Sequence, residues 1–267
     1  MLQYKTKERK NNVIEIKPFR EYLNEKEVVY GTFAKTCDPL FIKAIGKSGF
    51  DFVILDNEHG PNSLRDTYPL ILASQVTGIY PIVRVGKLSD IEIQRTLDLG
   101  VAGVQIPQIK TKEDAEHARA YSKFYPKGMR GVCRFVSAAD CGFMDKDIYF
   151  QKQNEVTVII HIEGVEGIQH IDDIIKVEDI DVIFIGPYDL SQSLGIPGEI
   201  DNPKLTREIE KLVEKCRKEQ KHTGIYADDV AKAKHYKSLG IKYIAVSVDV
   251  NLLGQKCFEL ANQLNSL

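Results

Sequence analysis

Asp56, Glu58 and His59 crowd the positions directly after the apolar run Phe52-Val53-Ile54-Leu55, which reads as a buried strand. Two acids and an imidazole where such a strand emerges are a means of holding a proton-transfer group beside a pocket. His59 is the candidate general base, unless it is a solvated rim histidine. Arg84 closes a second apolar run, 80–84. A guanidinium there is costly unless it meets an anion. A substrate carboxylate or an enolate oxygen would serve, as would a buried pair with Asp56 or Glu58. Glu163 and Asp189 follow two further apolar runs and are hard oxygen ligands. With waters and a chelating substrate they suit a divalent ion such as Mg2+, Mn2+ or Co2+; helix N-caps or rim salt bridges are the other reading. His161 lies two residues before Glu163 and so shares its face of a strand. There it is a ligand, an orienter, or a hydrogen-bonded interior residue.

These groups need elements to carry them. Short β-branched runs at 28–33, 52–55, 80–84, 103–106, 156–162, 182–185, 222–226 and 242–247 predict eight strands. Helical patterns alternate with them at 38–48, 62–76, 89–99, 111–124, 168–176, 204–220, 228–239 and 250–264. Asp38, Ser89 and Thr111 are expected N-caps, with Glu92 completing a capping box on Ser89. Gly49, Gly100 and Gly240 are expected to stop helices. Eight strand–helix units predict one α/β domain over residues 1–267, a (β/α)8 TIM barrel. A doubly wound sheet is the rival, but GTFAKTCDP after the first strand is not its Gly-rich phosphate turn. Residues 1–26 form an N-terminal extension, with 18–26 a helix across the barrel bottom. A long loop after strand four, residues 125–155, is expected to be a lid or an oligomer contact.

Barrel sites sit at the carboxyl ends of strands. That is where Asp56, Glu58, His59, Arg84, Gln105, His161, Glu163, Gly186, Pro187, Tyr188 and Asp189 fall. The upstream ends, Asp51, Glu155, Asp181 and Lys242, are bland. Such convergence on one rim predicts an enzyme. Asp98 at a helix end opposes the dipole and should have a specific partner. Arg130 and Arg134 either reach an anionic substrate or lie on the surface. A Schiff-base lysine has one candidate, Lys35. With no Gly-rich turn after strands seven and eight, the expected substrate is a carboxylate rather than a sugar phosphate.

Hydrophobic content of 43%, charged content of 28% and a net charge of -2 give no reason to expect a nucleic acid or an anionic membrane as partner. No apolar run approaches the ~18 residues of a membrane span. The charged start MLQYKTKERKNNVIEIK lacks a signal core. The five cysteines, without a Cys-x-x-Cys pair, read as free thiols in a reducing cytoplasm.

Taken together, GTFAK, FDFVILDNEHGP, PIVRV, LDLGVAGVQIPQI, KGMRGV, IEGVEGI and FIGPYDLSQSLG resemble the HpcH/HpaI aldolase family from Gly31 to Leu253. These are class II, metal-dependent aldolases of 2-oxo acids, of the 2,4-dihydroxyhept-2-ene-1,7-dioate aldolase type. The resemblance implies Glu163 and Asp189 as metal ligands. It implies His59 as base, oriented by Asp56 and acting through a water, and Arg84 as the group on the enolate oxygen. Asp98 would reach a neighbouring subunit's site in a homo-oligomer (hexamer or trimer). Gln105, Gly186, Pro187 and Tyr188 would contact substrate.

The chain departs from the family pattern at His161, at Val85-Gly86 and at Tyr188. The last two bear on the aldehyde half of the site. Residues 1–17 match no counterpart. The implied reaction is reversible cleavage of a 4-hydroxy-2-oxo acid to pyruvate and an aldehyde. The alternative is a citrate-synthase-like, siderophore-type condensation of a 2-oxo acid with an acyl thioester, with Arg130, Arg134 and Tyr188 binding a di- or tricarboxylate. A non-catalytic 2-oxo-acid binder is the third reading.

Overall fold

The computed structural model describes residues 17–267; the other residues of the extension lie outside the described part. Eight strands pair in parallel and in chain order: β1 (Val29–Ala34), β2 (Phe52–Asp56), β3 (Tyr80–Arg84), β4 (Gly103–Ile106), β5 (Thr157–Ile162), β6 (Val182–Ile185), β7 (His222–Ala227) and β8 (Tyr243–Val248). β8 returns to β1 and closes the barrel. Each strand boundary falls within one residue of its sequence expectation.

The helices are α1 (Phe19–Glu25), α2 (Pro39–Lys47), α3 (Leu64–Thr77), α4 (Asp90–Asp98), α5 (Lys112–Ser122), α6 (Lys146–Asn154), α7 (Val165–Gln169), α8 (Ile171–Ile174), α9 (Pro187–Ser193), α10 (Pro203–Lys218), α11 (Val230–Ser238) and α12 (Asp249–Asn265). Asp38, Ser89 and Thr111 cap as expected, accepting from the N–H groups of Leu40, Glu92 and Asp114. The box on Ser89 is only half made, because the Glu92 carboxylate accepts from Gly86 N–H at 3.0 Å instead. The expected helix at 168–176 is two short pieces, α7 and α8. The helix absent from the expected set is α9, with Pro187 as its first residue, where a missing N–H costs nothing.

Strand alternation divides the side chains between two cores. On β2, Val53 and Leu55 face outward to the helices, while Phe52 and Ile54 face the barrel interior. The interior is crowded enough that Cβ atoms are excluded at Gly31, which would meet the Phe52 ring at 2.3 Å, and at Gly224, which would meet Tyr243 at 2.8 Å.

α1 closes the bottom, as the sequence predicts. Its Phe19 ring stands 4.8 Å from Tyr80 and 6.0 Å from Phe52. The polar residues at the upstream strand ends act as its staples: Asp181 accepts from Arg20, Glu155 and Asp179 pair with Arg20, and Asp51 accepts from the Tyr22 hydroxyl. Residues 125–155 hold a short 3-10 helix, Ser137–Gly142, and α6. No helix among the described residues is long and apolar enough to cross a membrane. Phe19→Ala should destabilise the protein by about 3–5 kcal/mol, the usual cost of emptying a core phenyl site. Urea unfolding reads this directly, and an unchanged midpoint would mean that α1 is no part of the core.

Candidate active site

The inward alternation continues past the carboxyl ends of the strands and builds a cavity of about 370 Å³ there. β1 supplies Phe33 and then Lys35. Asp56 and Arg84 end β2 and β3, His161 and Glu163 follow one another along β5, Phe184 and Gly186 along β6, and Tyr226 comes from β7. His59 borders the cavity from the loop after β2, as do Pro187, Tyr188 and Asp189 from the first turn of α9.

Arg84 is buried among anions. Its Nε and Nη2 donate to the two Asp56 oxygens at 2.9 and 2.8 Å, and its Nη1 lies 2.9 Å from Glu58 Oε2. That last contact is an ion pair without hydrogen-bond alignment. The face of the guanidinium rests over the Phe33 ring at 4.9 Å. Asp56 is fully buried and also accepts from the backbone N–H groups of Glu58 and His59 at 3.1 and 3.2 Å. It therefore holds the loop that carries His59, rather than touching the imidazole. Burial opposes its ionisation, yet Arg84, the His59 N–H and Lys35 outweigh that and keep its pKa below the usual carboxylate value. Glu58 is pushed the other way, by burial first and then by the Glu163 charge, against the pull of Arg84.

Glu163 is positioned by a buried chain. The Tyr243 hydroxyl donates to Gln105 Oε1 at 3.4 Å, and the Gln105 amide nitrogen donates to His161 Nε2. The ring proton of His161 then sits on Nδ1, which donates to Glu163 Oε2 at 3.1 Å. Gln108 N–H donates to Glu163 Oε1 at 2.7 Å. Burial raises the Glu163 pKa, but His161, the Gln108 amide and Arg84 together hold it below the ordinary value. His161 is thus the interior hydrogen-bonded orienter, and Gln105 lies beneath the cavity as its support.

Oxygens of Glu163 and Asp189 converge on Gly186. A Cβ there would stand 2.9 Å from Glu163 Oε2 and 3.8 Å from Asp189 Oδ2. Glycine keeps that space open between two carboxylates. Among the described residues no three His, Cys, Asp or Glu side chains form a metal cage. Two hard oxygen ligands with room for waters and a bidentate substrate fit Mg2+ or Mn2+, which keep several non-protein ligands.

Three residues of the sequence reading lie elsewhere. Arg130 is neither a surface charge nor a pocket residue: it is 3% exposed, with Nη2 donating to Asp98 Oδ1 at 2.6 Å, Nη1 donating to Gln153, and the Phe124 ring 4.6 Å away. Asp98 thereby has the partner its place at a helix end calls for. Arg134 donates to the Met144 carbonyl. No residue of 125–155 lines the cavity. Phe33, Phe184, Tyr226 and Val248 do line it and were not singled out in the sequence; the period of two along β1, β6 and β7 was the signal that points to the three rings.

Because the folded-state pKa of Asp56 is depressed, its stabilisation is complete above the unfolded value of about 3.9 and is lost as pH falls through the lower folded value. Wild type should exceed Asp56→Asn in urea-unfolding stability by about 3–5 kcal/mol at pH 7, since the variant leaves Arg84 buried without its main partner. The gap should hold down to about pH 5 and narrow below pH 4. A gap that widens in acid would contradict the assignment.

The profile of the HpcH/HpaI aldolase/citrate lyase family matches residues 29–255. A 5-keto-4-deoxy-D-glucarate aldolase from Shigella dysenteriae serotype 1 (strain Sd197) is 31% identical over 252 residues, covering 94% of this chain and 98% of its own. The structure of a family protein from Burkholderia cenocepacia J2315 superposes with a TM-score of 0.88 at 28% identity, covering 92% of this chain and 98% of that one. The structure of the citrate synthase SbnG does so with a TM-score of 0.84 at 31% identity, covering 93% and 98%. Barrel, rim and match agree, and the chain belongs to the HpcH/HpaI aldolase/citrate lyase family of enzymes.

Proposed function

We propose that the protein is a class II pyruvate aldolase, cleaving a 4-hydroxy-2-oxo acid to pyruvate and an aldehyde. The observation that carries this reading is the gathering of His59, Arg84, Glu163 and Asp189 around one cavity in a chain of this family. Cleavage removes the proton of the C4 hydroxyl, breaks the C3–C4 bond, and leaves its electron pair in a pyruvate enolate. His59, exposed at the mouth, takes that proton through a water and later returns one to C3. Arg84 keeps N–H donors beyond those turned to Asp56 and Glu58, and these meet the enolate oxygen. A divalent ion held by Glu163 and Asp189 would supply positive charge opposite the developing oxyanion. The surplus of carboxylates at the site supports that ion, because a 2-oxo acid entering beside Asp56, Glu163 and Asp189 needs a countercharge.

A lactate-dehydrogenase-coupled assay over a panel of 4-hydroxy-2-oxo acids tests this. Pyruvate release should require Mg2+, Mn2+ or Co2+, stop with EDTA, and fall by about 10²–10⁴ in His59→Ala. Release that survives exhaustive chelation, with borohydride trapping of Lys35, would replace the metal-dependent reading by a Schiff-base one. The likeness to SbnG favours a second reading, condensation of a 2-oxo acid with an acyl thioester. Oxaloacetate and acetyl-CoA that release no free CoA would count against it.

The working form we propose is a homo-oligomer. Every residue from Val250 to Leu267 is exposed, including Leu253, Phe258 and Leu264 on α12. The 125–155 loop adds Phe135 and Phe143, 85% and 89% exposed. Patches of this kind mark protein contacts, and further copies of the chain are the occupants we propose for them. Light scattering should give a multiple of 30.2 kDa. Phe258→Asp should shift the population toward the single chain, and a wild-type monomer would refute the assembly.

A further inference from the structure

The cavity has two unlike walls. One carries Asp56, Arg84, His161, Glu163 and Asp189; the other is mostly carbon, from Phe33, Phe184, Tyr188, Tyr226 and Val248, and the two meet where Phe33 lies 4.9 Å from the Arg84 guanidinium and Phe184 stacks on His161 at 4.5 Å. The rings of the second wall pack against one another, Phe33 edge to face with two of them and Tyr188 tilted against Tyr226. Phe33 and Tyr226 centroids lie 6.0 Å apart at 62°, Phe33 and Phe184 6.3 Å apart at 73°, and Tyr188 and Tyr226 6.1 Å apart at 59°.

The two phenols bring hydroxyl groups to this wall, and Tyr188 turns its own to Asp228, which does not line the cavity. The Tyr188 hydroxyl donates to Asp228 Oδ1 at 2.8 Å. Burial first, and then the same carboxylate, push the pKa of both phenols up to about 12. Lys35, two residues beyond Phe33, has its ammonium 3.8 Å from Asp56 Oδ2, on the charged side.

We propose that the carbon wall is the subsite for the aldehyde half of the substrate, and that this half is apolar, with an aryl group preferred over a polyhydroxy chain. The proposal rests on the aldolase reading and deepens it. The 2-oxo acid head belongs at the charged wall, beside Arg84 and the two carboxylates. The tail then meets ring faces and edges. An aryl tail gains edge-to-face contacts there. A polyol tail has to bury hydroxyl groups against a largely carbon surface on which the Tyr188 hydroxyl is already engaged by Asp228. Tyr188, half exposed on the first turn of α9, is the specificity-determining residue most open to change.

Two measurements, both with Mg2+ supplied, test this. The first runs the reaction in the addition direction, with pyruvate and either phenylacetaldehyde or glyceraldehyde. The C3 carbon of pyruvate bonds to the aldehyde carbon, and the C3 proton ends on the new hydroxyl oxygen. kcat/KM should favour phenylacetaldehyde by about 10-fold or more. The second is calorimetric binding of 4-phenyl-2-oxobutanoate against 2-oxobutanoate, neither of which has a C4 hydroxyl to cleave. The phenyl group should tighten binding about 10-fold in wild type and in Tyr188→Phe, and less than about 3-fold in Tyr188→Ala. Because this gain is a ratio within each variant, a general loss of affinity cancels from it. A glyceraldehyde preference, or a phenyl gain of about 2-fold or less in wild type, would overturn the subsite. Turnover of neither aldehyde with the phenyl gain intact would sink the aldolase reading and leave the apolar subsite standing.

Discussion

A guanidinium buried at the carboxyl rim of the barrel sets the terms for everything around it. Removing Arg84 from water costs several kcal/mol unless charged partners with good geometry surround it. The parallel register places Asp56 opposite Arg84 on the neighbouring strand, and both point inward because both sit at even spacing from core residues on their strands. Asp56 in turn is held as a buried anion by Arg84 first, while two backbone N–H groups complete its acceptors. Those N–H groups belong to Glu58 and His59, so the ion pair also fixes the loop that presents the candidate base. Strand register, rim charge and loop geometry are one interaction seen from three sides.

The same alternation that buries Arg84 sorts the cavity into its two walls. Polar residues occupy the inward positions at the ends of β2, β3 and β5, whereas β1, β6 and β7 put rings at theirs. Charge on one side and carbon on the other matches a substrate that is a carboxylate at one end and something else at the other. The buried chain from Tyr243 through Gln105 and His161 to Glu163 supports the charged wall from beneath. A support of this kind keeps the Glu163 carboxylate from rotating into its neighbours, and similar supports are usual behind metal-binding side chains.

Much of this was legible in the sequence, for physical reasons. Closed parallel strands read as apolar runs, and their polar terminators fall on one rim, so Asp56, Arg84, Glu163 and Asp189 could be placed together without a structure. The caps at Asp38, Ser89 and Thr111 were equally local. What escaped was non-local or ambiguous in local terms. Arg130 meets Asp98 across a gap in sequence that no periodicity spans, so a residue that looks like a loop charge is a buried one. Asp56 was expected to orient the His59 ring, and it holds the His59 backbone instead. Pro187 signals a turn as readily as a helix start, which hid α9. The aromatic wall is drawn from several elements, each contributing a ring that looks like ordinary core when read alone.

On the function we propose, this rim forms and reprotonates a pyruvate enolate. The most direct measurement is proton NMR of pyruvate in D2O with the protein and Mg2+, with no aldehyde present. The methyl signal should decay through exchange at C3, and the decay should be lost in Arg84→Lys, which keeps the charge but not the fork of donors. A methyl signal as stable as in the protein-free control would contradict it.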